Sequence, residues 1–146
     1  MMKILLAACN AKYIHSNLAV YDLKTYAEEY EKHIVLKEYT INQPKDDILR
    51  DIYLETPDVI CVSCYIWNIT FVKELMRDLA KILPDTALWA GGPEVSFDAE
   101  AFLAENPHFT GVMLGEGEET FRELAGYYVK DITKLTEIRG IVFRNN

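Results

Sequence analysis

Short apolar runs alternate with helical stripes from one end of this chain to the other. The runs predict strands at Lys3–Ala8, Ile34–Tyr39, Val59–Cys64, Ala87–Ala90 and Gly111–Leu114. Stretches such as Val59-Ile60-Cys61-Val62 are apolar without alternation, as strands covered on both faces require. Between them lie apolar positions at helical spacing. After a cap at Ser16 or Asn17, the residues Ala19, Leu23, Tyr26, Ala27 and Tyr30 fall on one stripe. Asp46 or Asp47 opens a second helix with Ile48, Leu49 and Ile52 inward, stopped before Pro57. Asn68 caps a third, with Val72, Leu75, Met76, Leu79 and Leu83 inward and Pro84-Asp85 at its end. A fourth runs from about Phe97 to Glu105, and a fifth shows Phe121, Leu124, Ala125 and Tyr128 at i, i+3, i+4 and i+7. The acidic start of the fifth, Glu116 to Glu119, suits the positive end of the helix dipole.

Strict strand–helix alternation implies a three-layer α/β/α sandwich on a five-stranded parallel sheet. The expected strand order is the flavodoxin-like, Rossmann-like 2-1-3-4-5, which puts the topological switch point between the first and third strands. Gly140-Ile141-Val142-Phe143-Arg144 reads as an extra C-terminal strand. Residues 1–138 are therefore expected to form one domain, and 139–146 the start of a linker or hairpin toward a domain not included. The chain reads as a piece of a longer protein.

At 146 residues, half of them hydrophobic, the chain can bury roughly two thirds of its unfolded surface. Its net charge of -8 argues against a nucleic-acid binder, which needs a basic stripe. Leu6-Ala7-Ala8-Cys9 resembles a lipoprotein cleavage box, but the apolar run before it is too short for a signal segment. No run is long enough to span a membrane. An odd count of three cysteines suggests a reducing, cytoplasmic setting.

Candidate chemistry gathers where strands hand over to helices. Gly91-Gly92-Pro93-Glu94-Val95 follows the fourth strand, Gly115-Glu116-Gly117-Glu118-Glu119-Thr120-Phe121 the fifth, and Ser63-Cys64-Tyr65-Ile66-Trp67-Asn68 the third. In a parallel sheet all three corners share the carboxyl edge, where ligands bind. The Gly115-x-Gly117 turn lacks the last glycine of a dinucleotide fingerprint and carries glutamates where a pyrophosphate would lie, so it reads as a close-approach turn. Cys61-x-x-Cys64 has redox or zinc spacing, but on a strand these positions face opposite ways, so both read as buried structural cysteines. His15, after the first strand, could ligate a metal, hydrogen-bond a ligand or help cap a helix; the last two roles are preferred. His33 and His108 read as solvated turn residues. No catalytic constellation is present in the sequence: no nucleophile elbow, no Walker loop, no metal-spaced cluster.

With these motifs the chain resembles the N-terminal cobalamin (B12)-binding domain of B12-dependent radical SAM proteins. The segments carrying the likeness are Val62–Asn68, Gly91–Val95 and Gly115–Phe121. The resemblance implies a corrin lying over the carboxyl edge and a nucleotide tail drawn off the cobalt into a groove. Ser63 would meet the tail, Gly91 and Gly92 would let it pass close to the backbone, and Gly115, Glu116 and Gly117 would border its ribose or base. Tyr65, Trp67, Asn68, Pro93 and Glu94 belong to the same motifs and complete the candidate cofactor contacts, together with His15. Relatives with a histidine lower ligand carry D-x-H-x-x-G after the first strand. Here Tyr13-Ile14-His15-Ser16-Asn17-Leu18 lacks both the aspartate and the glycine. The likeness is therefore to relatives that leave that cobalt position to water or to nothing.

The resemblance further implies a radical SAM barrel in cis, bearing a [4Fe-4S] cluster and S-adenosylmethionine. The parent would be a methyltransferase or a related radical rearrangement or cyclisation enzyme, and this segment a non-catalytic module. The rival expectation is a ligand-free docking or signalling module, with Tyr65 and Trp67 facing a protein partner. A phospho-receiver is disfavoured because Cys9-Asn10 and Cys64 stand where its acidic residues belong. A flavodoxin relative holding FMN is disfavoured because Ala11-Lys12-Tyr13-Ile14 replaces the phosphate loop.

Overall fold

The computed structural model describes residues 1–11, 18–115 and 117–144, without the side chains of 18 and 19. The strands are β1 (Ile4–Asn10), β2 (Ile34–Thr40), β3 (Val59–Ser63), β4 (Ala87–Gly91), β5 (Gly111–Met113) and β6 (Ile141–Phe143). The α-helices are α1 (Leu18–Tyr26), α2 (Lys45–Glu55), α3 (Ile69–Ile82), α4 (Pro93–Ser96), α5 (Ala99–Glu105) and α6 (Glu118–Lys130).

The sheet order is β2-β1-β3-β4-β5-β6. The first five strands are parallel, and β6 pairs antiparallel with β5. This is the expected flavodoxin-like order, with the expected C-terminal strand added at the edge. Arg144 locks that strand down: its Nε donates to the Phe109 carbonyl at 2.8 Å, and its guanidinium also donates to the carbonyls of Asn106 (3.0 Å) and Leu103.

Strand parity divides the core into two. Leu5, Ala7, Ile60, Val62, Leu88 and Ala90 face α2, α3 and α5. Ile4, Leu6, Val59, Cys61 and Trp89 face α1 and α6, where Phe121, Leu124 and Ala125 cover them. Trp89 is fully buried, and its indole N–H donates to the Tyr128 hydroxyl at 2.8 Å. Gly111 is what admits that ring, because a Cβ there would lie 2.5 Å from it. Cys61 and Cys64 fall in different halves of the core and all three cysteines are free and buried, as the spacing argument required.

Several local expectations need correction. Tyr26 is exposed rather than inward, because α1 ends there and a 3-10 turn (Glu28–His33) carries Tyr30 into the core. The helix expected at about 97–105 is α5 (Ala99–Glu105), and a separate short helix, α4, precedes it. α4 starts at Pro93, Phe97 stands out in solvent, and Asp98 caps α5 by accepting from the Ala101 N–H at 3.3 Å. Asn68 begins α3 but does not cap it with its side chain. His33 is half-buried, its Nδ1 2.8 Å from the Met2 carbonyl, and His108 packs 4.8 Å from the Phe109 ring. Burial and nearby Arg77 and Arg144 lower the pKa of His108. The proposed cap at Ser16 or Asn17, with His15 and Glu116, lies outside the described residues. Among the described residues no helix is long and apolar enough to cross a membrane, and no metal-spaced cluster of acidic, His and Cys side chains occurs.

Candidate functional site

A cleft of about 640 Å³ opens at the carboxyl edge of the sheet, on the α1/α6 side. That volume is in the range of small-molecule sites, roughly 300–1,000 Å³. Its position follows from strand parity. Leu6, Cys61, Ser63, Gly91 and Met113 share one face, and Ser63 lies beside Gly91 in register. Because Gly91 has no side chain and Ser63 a small one, neither fills the space above them. Asp22 and Leu23 of α1 form one wall, and Gly115, Gly117 and Glu118 another. Tyr65, Pro93 and Ser96 close the β3–β4 side.

The glycines do different jobs. Gly91 has ordinary backbone geometry, and a Cβ there would meet Met113 at a comfortable 3.7 Å. Gly115 has φ +68 and nothing within 4 Å of where a Cβ would stand, so it borders open space. Gly92, at φ +101, is pressed against the Cys64 peptide. Around it the Cys64 N–H donates to the Gly91 carbonyl at 2.7 Å and the Glu94 N–H to the Cys64 carbonyl at 3.3 Å. Ser96 donates its hydroxyl to the Gly92 carbonyl at 2.8 Å. This knot of backbone bonds ties the corner after β3 to the corner after β4.

The structure thus brings Ser63, Tyr65, Gly91, Gly92, Pro93, Gly115 and Gly117 to one cleft. It leaves Trp67, Asn68 and Glu94 out of the lining. Trp67 stacks on Tyr65, with ring centroids 5.1 Å apart and planes 3° from parallel. Glu94 is exposed, and Asn68 is buried with its amide turned to the backbone. Asp22, Ser96 and Glu118 are lining residues that the motifs did not flag. Ser96 could have been found, since it stands one helical turn after Gly92. Asp22 needs the packing angle of α1, which periodicity does not carry. Cys61, two residues before Ser63, was visible as the same face of the strand; burial pushes its thiol up to about 12, so it acts as apolar floor.

Residues 4–125 match the family model described as B12 binding domain. The chain belongs to that family. Among curated relatives, this B12-binding domain is 30% identical over 127 residues to the cobalamin-dependent radical SAM methyltransferase TokK of Streptomyces tokunonensis. It is 31% identical over 127 residues to the 2-(S-pantetheinyl)-carbapenam-3-carboxylate methyltransferase of Streptantibioticus cattleyicolor. Each alignment covers 84% of this chain and 18% of the relative, so the chain spans under a fifth of their length. Among solved structures, the cobalamin-dependent S-adenosylmethionine radical enzyme OxsB, with aqua-cobalamin and S-adenosylmethionine bound, superposes with a TM-score of 0.80. That match covers 100% of this chain and 21% of OxsB at 19% identity, a likeness of fold. The module is a cobalamin-binding one.

Proposed function

We propose that the cleft takes the nucleotide tail of cobalamin while the corrin lies over the carboxyl edge. The observation that carries this reading is a side-chain-poor slot of about 640 Å³ opening between Ser63 and Gly91 on one side and Gly115 and Gly117 on the other. Its chemistry suits the tail. Leu6, Leu23, Cys61 and Met113 provide an apolar floor for a flat base, Ser63 provides a hydroxyl for the sugar-phosphate, and Ser96, its proton donated to the Gly92 carbonyl, offers a sugar hydroxyl an acceptor. Asp22 on one wall and Glu118 on the other make the slot unfavourable to a phosphate monoester such as that of FMN, which carries about two negative charges. Pro93 and Gly92 hold the rim's shape, Tyr65 and Trp67 offer a stacked aromatic surface to the corrin, and His15, Glu94 and Glu116 remain proposed contacts at its border.

For the whole protein we propose a B12-dependent radical SAM enzyme, a methyltransferase or a related rearrangement or cyclisation enzyme. A barrel in cis would hold the [4Fe-4S] cluster and S-adenosylmethionine, and residues 139–146 would lead toward it. The support is the likeness to two methyltransferases about five times longer than this chain, one of them a cobalamin-dependent radical SAM enzyme. Bound cobalamin would supply a transferable methyl group or tune a radical; this chain's residues would bind and orient it. The test is direct. The purified chain mixed with hydroxocobalamin should co-elute with colour on gel filtration and shift the cofactor's absorption spectrum. Colourless protein at saturating cofactor, from folded chain, overturns the reading.

A further inference from the structure

We infer that Asn68 is a positioning residue, setting the shape of the cofactor rim through its side-chain amide without touching the cofactor. The inference rests on the proposal that the cleft takes the nucleotide tail. Asn68 is 1% exposed and does not line the cleft, yet its amide meets three backbone groups that define it. Oδ1 accepts from the Tyr65 N–H at 2.8 Å, and Nδ2 donates to the carbonyls of Cys9 at 2.9 Å and Ser63 at 3.2 Å. Both amide hydrogens are therefore committed, and the orientation of the group is dictated by its partners: reversed, the oxygen would face two carbonyls.

Two of those partners, Ser63 and Tyr65, line the cleft, and the third, Cys9, is the penultimate residue of β1 across the switch point. The link is reciprocal, because the Asn68 N–H donates to the Tyr65 carbonyl at 3.1 Å, and the Ile69 N–H joins it at 2.9 Å. The loop from Cys64 to Asn68 is thus closed on itself. On its far side Cys64 bonds Gly91 of β4, and on its near side the Asn68 amide bonds Cys9 of β1. Neither aspartate nor alanine preserves this. Aspartate keeps the shape but turns both donors into an acceptor aimed at carbonyls, and alanine removes all three bonds. A buried amide holding the supports of a site, while itself outside it, is how binding geometry is commonly fixed.

The experiment compares two corrinoids on the purified chain: cobalamin, which has the nucleotide tail, and cobinamide, which lacks it. Equilibrium dialysis gives the affinity ratio for wild type, Asn68→Asp and Asn68→Ala, with folding verified by circular dichroism. General destabilisation lowers both affinities equally and leaves the ratio alone. A displaced Ser63 weakens the tail most, so the expected result is at least a tenfold fall in the cobalamin preference in both variants. A folded variant that keeps the wild-type ratio overturns the inference and leaves the proposed function standing. A wild type without preference overturns the tail reading and this inference with it. Failure of both variants to fold also overturns it, since Asn68 would then serve the whole fold and not the rim.

Discussion

A Cβ on Gly92 would stand 2.4 Å from the Cys64 carbonyl oxygen and 2.9 Å from its amide nitrogen. Glycine is thus required there by another piece of the chain, and the tail's passage is not what selects it. Two costs coincide, since φ of +101 is unsuited to side chains and the colliding atoms are backbone. Gly92→Ala should lose at least about 2 kcal/mol of stability, lowering the thermal midpoint by roughly 5 °C. An unchanged melting curve would show that the corner after β3 yields freely.

Gly91 should behave in the opposite way. Its geometry accepts a side chain and its neighbour, Met113, is at van der Waals distance. Gly91→Leu should fold with a stability change of about 1 kcal/mol or less, while its side chain occupies the slot. Cobalamin affinity should fall more than tenfold, and cobinamide affinity much less. Equal retention of both would place the tail elsewhere.

The thiols of Cys9, Cys61 and Cys64 are each pushed up to about 12 by burial. At pH 8 the thiolate fraction is then on the order of 10⁻⁴, against about a tenth for a cysteine at the ordinary 9.0. Native protein should leave an aromatic disulfide reagent uncleaved over minutes, and denatured protein should react at all three sites. Because the folded pKa lies above the ordinary 9.0, unfolded chains ionise first as pH rises. The stability held below pH 9 should therefore decline between pH 9 and about 12. Denaturant melts across that window check the sign.

How much of this was legible beforehand depended on which physics a residue reports. Strand order and both faces of the core followed from short apolar runs, because alternation and burial on two sides leave their mark on every residue of a strand. Ser63, Gly91 and Gly115 were visible as handover residues for the same reason. Asn68 stood in the right motif with the wrong task. Its type is compatible with a helix cap, a ligand contact or a backbone brace, and only the position of Cys9, 59 residues away, decides among them. Asp22 and Leu23 enter the cleft through the packing of α1, a tertiary quantity. Tyr26 misled because a helical stripe was extended past the point where the chain tightens into a 3-10 turn.

Trp67 gives a complementary signature. It stacks on Tyr65 outside the slot, so Trp67→Ala removes the surface proposed for the corrin and leaves the proposed seat of the tail intact. Losing one aromatic contact is worth about 1 kcal/mol, a several-fold weakening. Cobalamin and cobinamide should weaken alike, with their ratio preserved. Unaltered affinity for both would remove the aromatic pair from the site.

The C-terminal strand should matter to stability out of proportion to its three residues. Arg144 donates to the carbonyls of Leu103, Asn106 and Phe109, and its own N–H bonds Thr110 at 2.9 Å. Arg144→Ala removes the guanidinium donors to Leu103, Asn106 and Phe109, although the Asn106 carbonyl keeps the Phe109 N–H at 3.1 Å, at a cost of about 1–3 kcal/mol. Urea melts of the variant should show it, and an unchanged midpoint would mean water replaces the guanidinium without loss.

Ser63 meets Gly91 only because β3 and β4 pair in one particular register. A slip by a single residue would bring Val62 or Cys64 round to that side and bury the hydroxyl in the opposite layer. Colour retained on a column is consequently a proofreading assay as well as an affinity measurement: a misaligned chain, however compact, would wash through clear.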